Sequence, residues 1–187
     1  MSHLALSDPR RLPYASIGFE DMRERQKIYV DKTALIYQIA IQDVPIFFSR
    51  PRRFGKTLLL NTLASLFSNG LKYFHGLAIE KMWNDKTYQV IRIDFSSIAD
   101  NNAQDFKQAL NDTLVTAFNV AGIVSQGSEN AIRDPDRVLN EIIRKKINNS
   151  IVLLVDEYDA PLIHNIDNEE DLRGIMRTLN KFYATIK

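Results

Sequence analysis

Short strand-like runs alternate with amphipathic stretches along this chain, and that alternation limits the possible fold more than any other feature. Three runs have strand character, at residues 44–48, 90–95 and 151–155. The first and third are continuously apolar, as in strands buried on both faces, although Pro45 suits only the start of a strand. Strands separated by helices predict a parallel sheet. We therefore predict an α/β fold with three layers, in which helices cover both faces of a mostly parallel sheet.

Five segments have the apolar spacing of amphipathic helices. They lie at residues 32–41, 57–69, 106–121, 135–147 and 168–186, and a weaker strand pattern lies at 27–30. Residues that typically begin or end helices support these helix predictions. Asp31 or Thr33 can cap the first helix, Pro135 suits a first helical position, and Gly70 and Gly122 are typical of helix ends.

The composition excludes several classes of protein. A chain of 187 residues is long enough for one domain with a sizeable core, and we expect a single domain over 1–187 with a flexible stretch at 1–12. The net charge of +1 does not indicate a nucleic-acid-binding surface over the whole chain, and the absence of cysteine excludes disulfides. The three histidines are too dispersed in sequence to predict a metal site. Neither a signal peptide nor a membrane-spanning run is present, so we expect a cytoplasmic location.

Residues 49–57, with the sequence SRPRRFGKT, follow the first apolar run and lead into an amphipathic helix. The start of a helix carries unpaired N–H groups and a partial positive charge, which favour phosphate. In that reading Gly55 permits close backbone approach, Lys56 reaches the outer phosphates, and the Thr57 hydroxyl binds magnesium. The phosphate-loop motif has another glycine where this chain has Arg50. The alternative is a capped helix with an exposed lysine.

The arginine-rich part of this loop limits which backbone N–H groups can bind a phosphate. Arg50 lacks the freedom of glycine at positive φ, and Pro51 lacks an N–H, so a phosphate cradle depends on N–H groups further along. Arg52 and Arg53 are suited to placing charge beside the γ-phosphate as an arginine finger does, but pairing with acidic residues or with a partner protein is equally consistent with the sequence. The predicted nucleotide-binding residues are Arg52, Arg53, Phe54, Gly55, Lys56 and Thr57.

Two acidic residues follow the third strand-like run. Asp156 comes directly after five apolar residues, where phosphate-loop enzymes hold magnesium, and Glu157 is placed to deprotonate an attacking water. The alternative is that two polar residues simply end a strand. Ligands of parallel sheets bind at the carboxyl ends of strands, so the two motifs together predict nucleotide binding.

Three motifs resemble those of the predicted AAA-ATPase-like family of prokaryotes: YVDKT at 29–33, RPRRFGKT at 50–57 and DEYD at 156–159. The resemblance covers about residues 13–161. It implies a P-loop NTPase-like domain that uses ATP, magnesium and a catalytic glutamate, with the arginine-rich loop as part of the family pattern. Members often continue into a PD-(D/E)xK nuclease-like domain, so the chain resembles an N-terminal ATPase portion that ends before the sensor strand and lid.

For three further aspartates, the sequence gives weaker evidence of a functional role. Asp31 matches the family pattern, and we favour helix capping over base contact for it. Asp94, at the end of the second strand-like run, is consistent with either a supporting role at the site or a turn. Asp159 belongs to the DEYD motif, which does not by itself assign it a role.

The sequence thus predicts a magnesium-dependent ATP-binding module with ATP hydrolysis. Glu157 is the predicted general base, Lys56 and Arg52 are further catalytic residues, and Thr57 and Asp156 bind the metal. Two alternatives stay open: an interaction module that binds nucleotide without turnover, and a nucleic-acid-associated ATPase, although nucleic acid is not expected to bind this segment alone. Unpaired strand edges also predict self-association or a protein partner.

Overall fold

The computed structural model describes residues 11–15, 17–42, 44–51, 53–98, 102–122 and 151–186. Two compact units divide between Tyr88 and Gln89. In the first unit the helices are α1 (Phe19–Glu24), α2 (Thr33–Ala40) and α3 (Lys56–Asn69), with a 3-10 helix at Ala78–Lys81. The second unit contains, in chain order, strand β1 (Gln89–Asp94), a 3-10 helix at Phe95–Ile98, helix α4 (Ala103–Val120), strand β2 (Ile151–Asp156), and helices α5 (Ala160–His164) and α6 (Glu169–Ile186).

The first unit has an aromatic core around its helices. Phe19 of α1 packs on Phe74 with ring centroids 4.7 Å apart. Phe67 of α3 contacts Trp83 and Tyr88 edge-to-face at 5.8 and 5.3 Å. These contacts hold the buried side of α3 and leave the start of that helix at the surface.

Helix α3 begins and ends at glycines with left-handed backbone, Gly55 with φ 76° and Gly70 with φ 60°. Both positions are ones where side chains other than glycine are disfavoured, so they set the helix bounds locally. The predicted apolar stripe is confirmed, because Leu63, Leu66 and Phe67 are buried.

The second unit contains a parallel pair of strands. β1 and β2 pair in register from Gln89 with Ile151 to Asp94 with Asp156, so both strands end at the same edge. One sheet face packs on α4 and α6 through a cluster of buried apolar side chains. This cluster contains Ile91, Ile93, Phe95, Ile98, Phe106, Leu110, Leu114, Phe118, Ile175, Leu179 and Phe182.

The predicted α/β class and parallel pairing are confirmed, as are the second and third strands and four of the predicted helices. The predicted helix at 135–147 lies outside the described residues, as do residues 1–10 of the stretch 1–12 that was predicted to be flexible. Two short helices, α1 and α5, were not predicted. The described chain contains two strands, which is fewer than a three-layer sheet needs.

The prediction of a buried strand at residues 44–48 is wrong. This segment forms no strand with the described residues, and Val44 and Phe47 are 62% and 70% exposed. A strand requires a neighbouring backbone for its hydrogen bonds, and Pro45 contributes no N–H. The weaker strand pattern at 27–30 also forms no strand with the described residues, although the Ile28 N–H donates to the backbone oxygen of Arg11 at 2.8 Å.

None of the helices in the described part of the chain has the length and apolar character required to cross a membrane.

Candidate functional site

The start of α3 has no side-chain cap from the described residues. Gly55 occupies the N-cap position, where no side-chain hydrogen bond is made. A capping side chain would normally satisfy one of the N–H groups there. Without a cap, these donors and the positive end of the helix dipole are available to an anion, and phosphate suits both.

Lys56 folds back over the loop that precedes the helix. Its Nζ donates to the backbone oxygen of Arg50 at 3.1 Å. Arg50 itself places its guanidinium 5.3 Å from the centre of the Phe48 ring. Thr57, the next helical residue, is exposed. The Lys56 ammonium group is therefore held beside the loop by a hydrogen bond to the Arg50 carbonyl. A phosphate oxygen can replace this carbonyl as the acceptor.

The loop is bent at Arg53, which has φ 67° and an exposed side chain. A left-handed backbone at a non-glycine residue costs roughly 1–2 kcal/mol. From the sequence, the position at which glycine would be replaced by a residue disfavoured at positive φ was Arg50. In the structure, the residues of this loop with positive φ are Arg53 and Gly55. Phe54 between them is 64% exposed. Arg52, a predicted catalytic and nucleotide-binding residue, lies outside the described residues.

The acidic pair lies at the end of β2. Asp156 is its last residue and is half-buried, and its Oδ1 accepts a hydrogen bond from the Glu157 N–H at 3.0 Å. Its second carboxylate oxygen accepts no hydrogen bond from the described residues. Glu157 has φ 49°, and its backbone oxygen accepts from the N–H of Ala160 at 2.9 Å. The chain thus reverses at Glu157 immediately after the strand.

Asp94 is opposite Asp156 in the register of the two strands. Its Oδ1 accepts hydrogen bonds from the backbone N–H and the hydroxyl of Ser96 at 2.9 and 2.7 Å. This is the turn role that the sequence left open, since the carboxylate holds the start of the 3-10 helix. Across the described ranges, no three acidic, histidine or cysteine side chains cluster as a metal site would require.

Asp31 has a structural role. Its Oδ1 accepts from the N–H and hydroxyl of Thr33 at 2.8 and 2.6 Å, and its Oδ2 accepts from the N–H of Ala78 at 2.8 Å. The Thr33 hydroxyl accepts in turn from the N–H of Ile79 at 3.1 Å. The first turn of α2 is thereby joined to the 3-10 helix 46 or 47 residues away. This agrees with the predicted preference for capping.

Tyr183 of α6 is a residue that sequence reasoning missed. Burial, together with the nearby Tyr158 and the charge of Asp159, raises its pKa to about 12. Its Oη is shielded from solvent and has no hydrogen-bond partner in the described chain. In the sequence a tyrosine on an amphipathic helix is most simply interpreted as a core residue, and no local sequence signal distinguishes Tyr183.

The structure brings the predicted residues together in two sets. Arg53, Phe54, Gly55, Lys56 and Thr57 surround the start of α3 in the first unit. Asp156 and Glu157 end β2 in the second unit. The first set follows an exposed segment instead of the predicted buried strand, whereas the second follows the predicted strand β2.

The loop-to-helix junction at 50–57 and the acidic motif at 156–159 are two of the three motifs on which the family resemblance was stated. The family model described as predicted AAA-ATPase matches residues 13–187, and the chain belongs to this family. The resemblance stated from the motifs is thereby confirmed.

A relative from Azotobacter chroococcum mcd 1, named "Uncharacterized protein in vnfD 5'region", is 35% identical over 183 residues. The match covers 95% of this chain and 34% of that protein, so the chain spans about a third of its relative's length. No solved structure matches the chain.

Proposed function

We propose that this chain binds ATP with magnesium and hydrolyses it through a P-loop-type site in a three-layer α/β domain. The observation that carries the proposal is the uncapped start of α3, where Gly55 has φ 76° and Lys56 Nζ lies over the loop. Family membership supports the same reading, because the family is described as predicted AAA-ATPase.

The phosphates would be held by the first N–H groups of α3 and by Lys56. The amides need no rearrangement to accept an anion, since no side chain of the described residues caps them. Lys56 would exchange its hydrogen bond with the Arg50 carbonyl for one with a phosphate oxygen, which carries more charge.

Magnesium would be held by the Thr57 hydroxyl and the Asp156 carboxylate. Both are hard oxygen donors, and the exposed hydroxyl and the second Asp156 oxygen fit a cation that keeps several of its waters. When bound, magnesium supplies charge neutralisation at the phosphates.

Glu157 is the proposed general base. Its left-handed backbone turns the chain directly after the metal-binding aspartate, and strained residues of this kind gather at functional sites. Arg52 and Arg53 are the proposed source of positive charge at the γ-phosphate, as in an arginine finger. The exposed Arg53 side chain is consistent with that role.

The test is a titration with a fluorescent ATP analogue, with and without magnesium. We expect magnesium-dependent binding by the wild-type chain and loss of binding in Lys56→Ala, because the phosphate charge is no longer neutralised. Lys81→Ala removes an exposed lysine of the same unit and should bind normally. Unchanged affinity in folded Lys56→Ala would exclude a phosphate-binding loop.

Phosphate release then separates hydrolysis from the alternative of an interaction module that binds without turnover. That alternative draws on the exposed apolar side chains near the loop, Phe47 and Phe54. Binding without release would favour it. Retention on single-stranded DNA, if it accompanied nucleotide binding, would favour the nucleic-acid-associated ATPase instead.

A further inference from the structure

Positive charge is concentrated in the first compact unit of the chain. Residues 1–88 contain 13 lysines and arginines against 8 aspartates and glutamates, whereas residues 89–187 contain 11 against 15. The net charge of +1 for the whole chain is therefore the balance of a basic first unit and an acidic second unit. Charge asymmetry between two parts of a chain is a general sign of an anionic partner for the basic part.

The arginine-rich loop lies in a long stretch without acidic residues. Residues 44–79 contain no aspartate or glutamate but five lysines and arginines, three of them at 50–53. The side chains of Arg50 and Arg53 are exposed, and neither forms an ion pair with a carboxylate of the described residues. Pairing with acidic residues, one of the roles that the sequence left open for Arg53, is therefore not found in the described part of the chain.

Exposed aromatic side chains flank these arginines. Phe47 and Phe54 are 70% and 64% exposed, one before and one after the arginines. The Arg50 guanidinium lies 5.3 Å from the centre of the Phe48 ring, so that ring supports the cation from within the same segment. Exposed rings interspersed with basic side chains are typical of surfaces on which nucleic-acid bases stack while their phosphates are neutralised.

We propose that residues 47–54 form a binding surface for single-stranded nucleic acid. Bases stack on the rings of Phe47 and Phe54, and the guanidinium groups of Arg50 and Arg53 bind the phosphates. A single strand fits this surface better than a duplex, because the bases of a duplex are already stacked on one another. An acidic protein would pair with the arginines, but its carboxylates would leave the exposed rings without a contact.

This inference goes beyond ATP binding and does not depend on it, since Phe47 and Arg50 are not among the predicted nucleotide-binding residues. It also departs from the expectation that nucleic acid does not bind this chain alone. That expectation is consistent with the net charge of the whole chain, whereas the proposed surface lies in the basic first unit.

The test is the fluorescence anisotropy of a labelled oligothymidylate of about 20 nucleotides, titrated with the chain in the absence of ATP. We expect binding that weakens as salt rises, because phosphate contacts release counterions. Phe47→Ala and Phe54→Ala should each weaken binding about tenfold, since each removes the stacking of one base. Tyr14→Ala removes an exposed aromatic ring of the same unit outside the segment and should bind like wild type.

The arginines are tested by the salt dependence. Arg53→Ala should lower the slope of log affinity against log salt by roughly 0.7, the contribution of one phosphate of a single strand. Lys81→Ala, which removes an exposed lysine of the same unit, should keep the wild-type slope. A labelled oligouridylate of the same length distinguishes RNA from DNA as the preferred strand, because only RNA has a 2′-hydroxyl.

Three outcomes would overturn the proposal. The first is no binding of either single strand at low salt, or equally tight binding of a duplex of the same length. The second is binding that both phenylalanine variants leave intact, which would mean contacts to phosphates alone. The third is self-association in light scattering without oligonucleotide binding, which would assign the segment to a second copy of the chain.

The ATP-analogue titration keeps this proposal separate from the proposed ATP site. Phe47→Ala should bind the analogue as wild type does, while its oligonucleotide affinity falls. A chain that binds the oligonucleotide but no analogue would refute the ATP site and leave this surface in place. A chain that binds the analogue but no oligonucleotide would do the reverse.

Discussion

Left-handed backbone occurs at one non-glycine residue in each of two sequence motifs. Arg53 and Glu157 have φ 67° and 49°, although neither is a glycine. Each costs free energy that a glycine would avoid, and each lies inside a motif, Arg53 in RPRRFGKT and Glu157 in DEYD. Gln26 and Asp85 also have positive φ and lie outside the motifs, so positive φ alone does not identify a site.

The residue that tests hydrolysis most directly is Glu157. Glu157→Gln keeps the shape of the side chain but cannot accept a proton, so ATP binding should persist while phosphate release falls roughly 10²–10⁴-fold. Steady-state phosphate release and analogue titration measure the two effects separately. Glu170→Gln, at an exposed position in the first turn of α6, is the control. Unchanged turnover in Glu157→Gln would remove this residue from the mechanism.

Asp31 makes stability depend on pH. Burial acts to raise its pKa, but the hydrogen bonds from Thr33 and Ala78 outweigh it, so the folded-state pKa lies below the ordinary value. A depressed pKa stabilises the fold above the unfolded value of about 3.9 and loses that contribution as pH falls through the folded value. Asp31→Asn should therefore lose about 1 kcal/mol of stability at neutral pH, and the difference should shrink below about pH 4.

Thermal unfolding over a pH series measures this difference, with Asp167→Asn, an exposed aspartate, as the control. A gap between wild type and Asp31→Asn that stayed constant down to about pH 2 would show that the charge of Asp31 is not what stabilises this junction.

At the scale of elements, the second unit depends on close contact between α4 and α6. A Cβ built on Gly174 of α6 would lie 2.4 Å from the Cβ of Ala103 at the start of α4. The backbone N–H of Ala103 also donates to Asp171 Oδ1 at 2.8 Å, which joins the same two helices. Glycine in the middle of this helix is therefore explained by packing.

Gly174→Ala should be destabilising despite a better helix propensity. The propensity gain is about 1 kcal/mol, whereas overpacking costs roughly 1–3 kcal/mol. Adding Ala103→Gly to Gly174→Ala should restore part of the loss, because it removes the opposing methyl group. Urea unfolding of the single and double variants measures both. An increase in stability for Gly174→Ala would mean that the two helices separate easily at this point.

At the scale of the whole molecule, the segment 44–48 is apolar and exposed. Val44 and Ile46 are 62% and 47% exposed, and the segment forms no strand with the described residues. Exposed extended backbone with apolar side chains promotes association with another chain.

We predict that the chain self-associates as its concentration rises and that Ile46→Lys weakens this association. Light scattering across a concentration series measures it. Val120→Lys is the control, because Val120 is an 85% exposed residue at the end of α4. A monomer at every concentration would show that the exposed segment does not mediate association.

The sequence by itself determined the features that depend on a few neighbouring residues. Periodic apolar side chains located α3, α4, α6 and both strands, because a helix or strand buries one set of positions at a fixed spacing. Glycines determined the ends of α3 locally, and the motifs predicted candidate site residues because loop-to-helix and strand-to-turn patterns lie within a few residues.

Only the tertiary structure decided the features that depend on distant residues. The pairing of Asp94 with Asp156 spans 62 positions of the chain, and the bond from Ala78 to Asp31 spans 47. No sequence pattern specifies which backbone a strand will pair with, and for that reason residues 44–48 were predicted as a buried strand but lie exposed. The same holds for Tyr183, since its unsatisfied hydroxyl beside Asp159 arises from the packing of α5 against α6, which local residues do not encode.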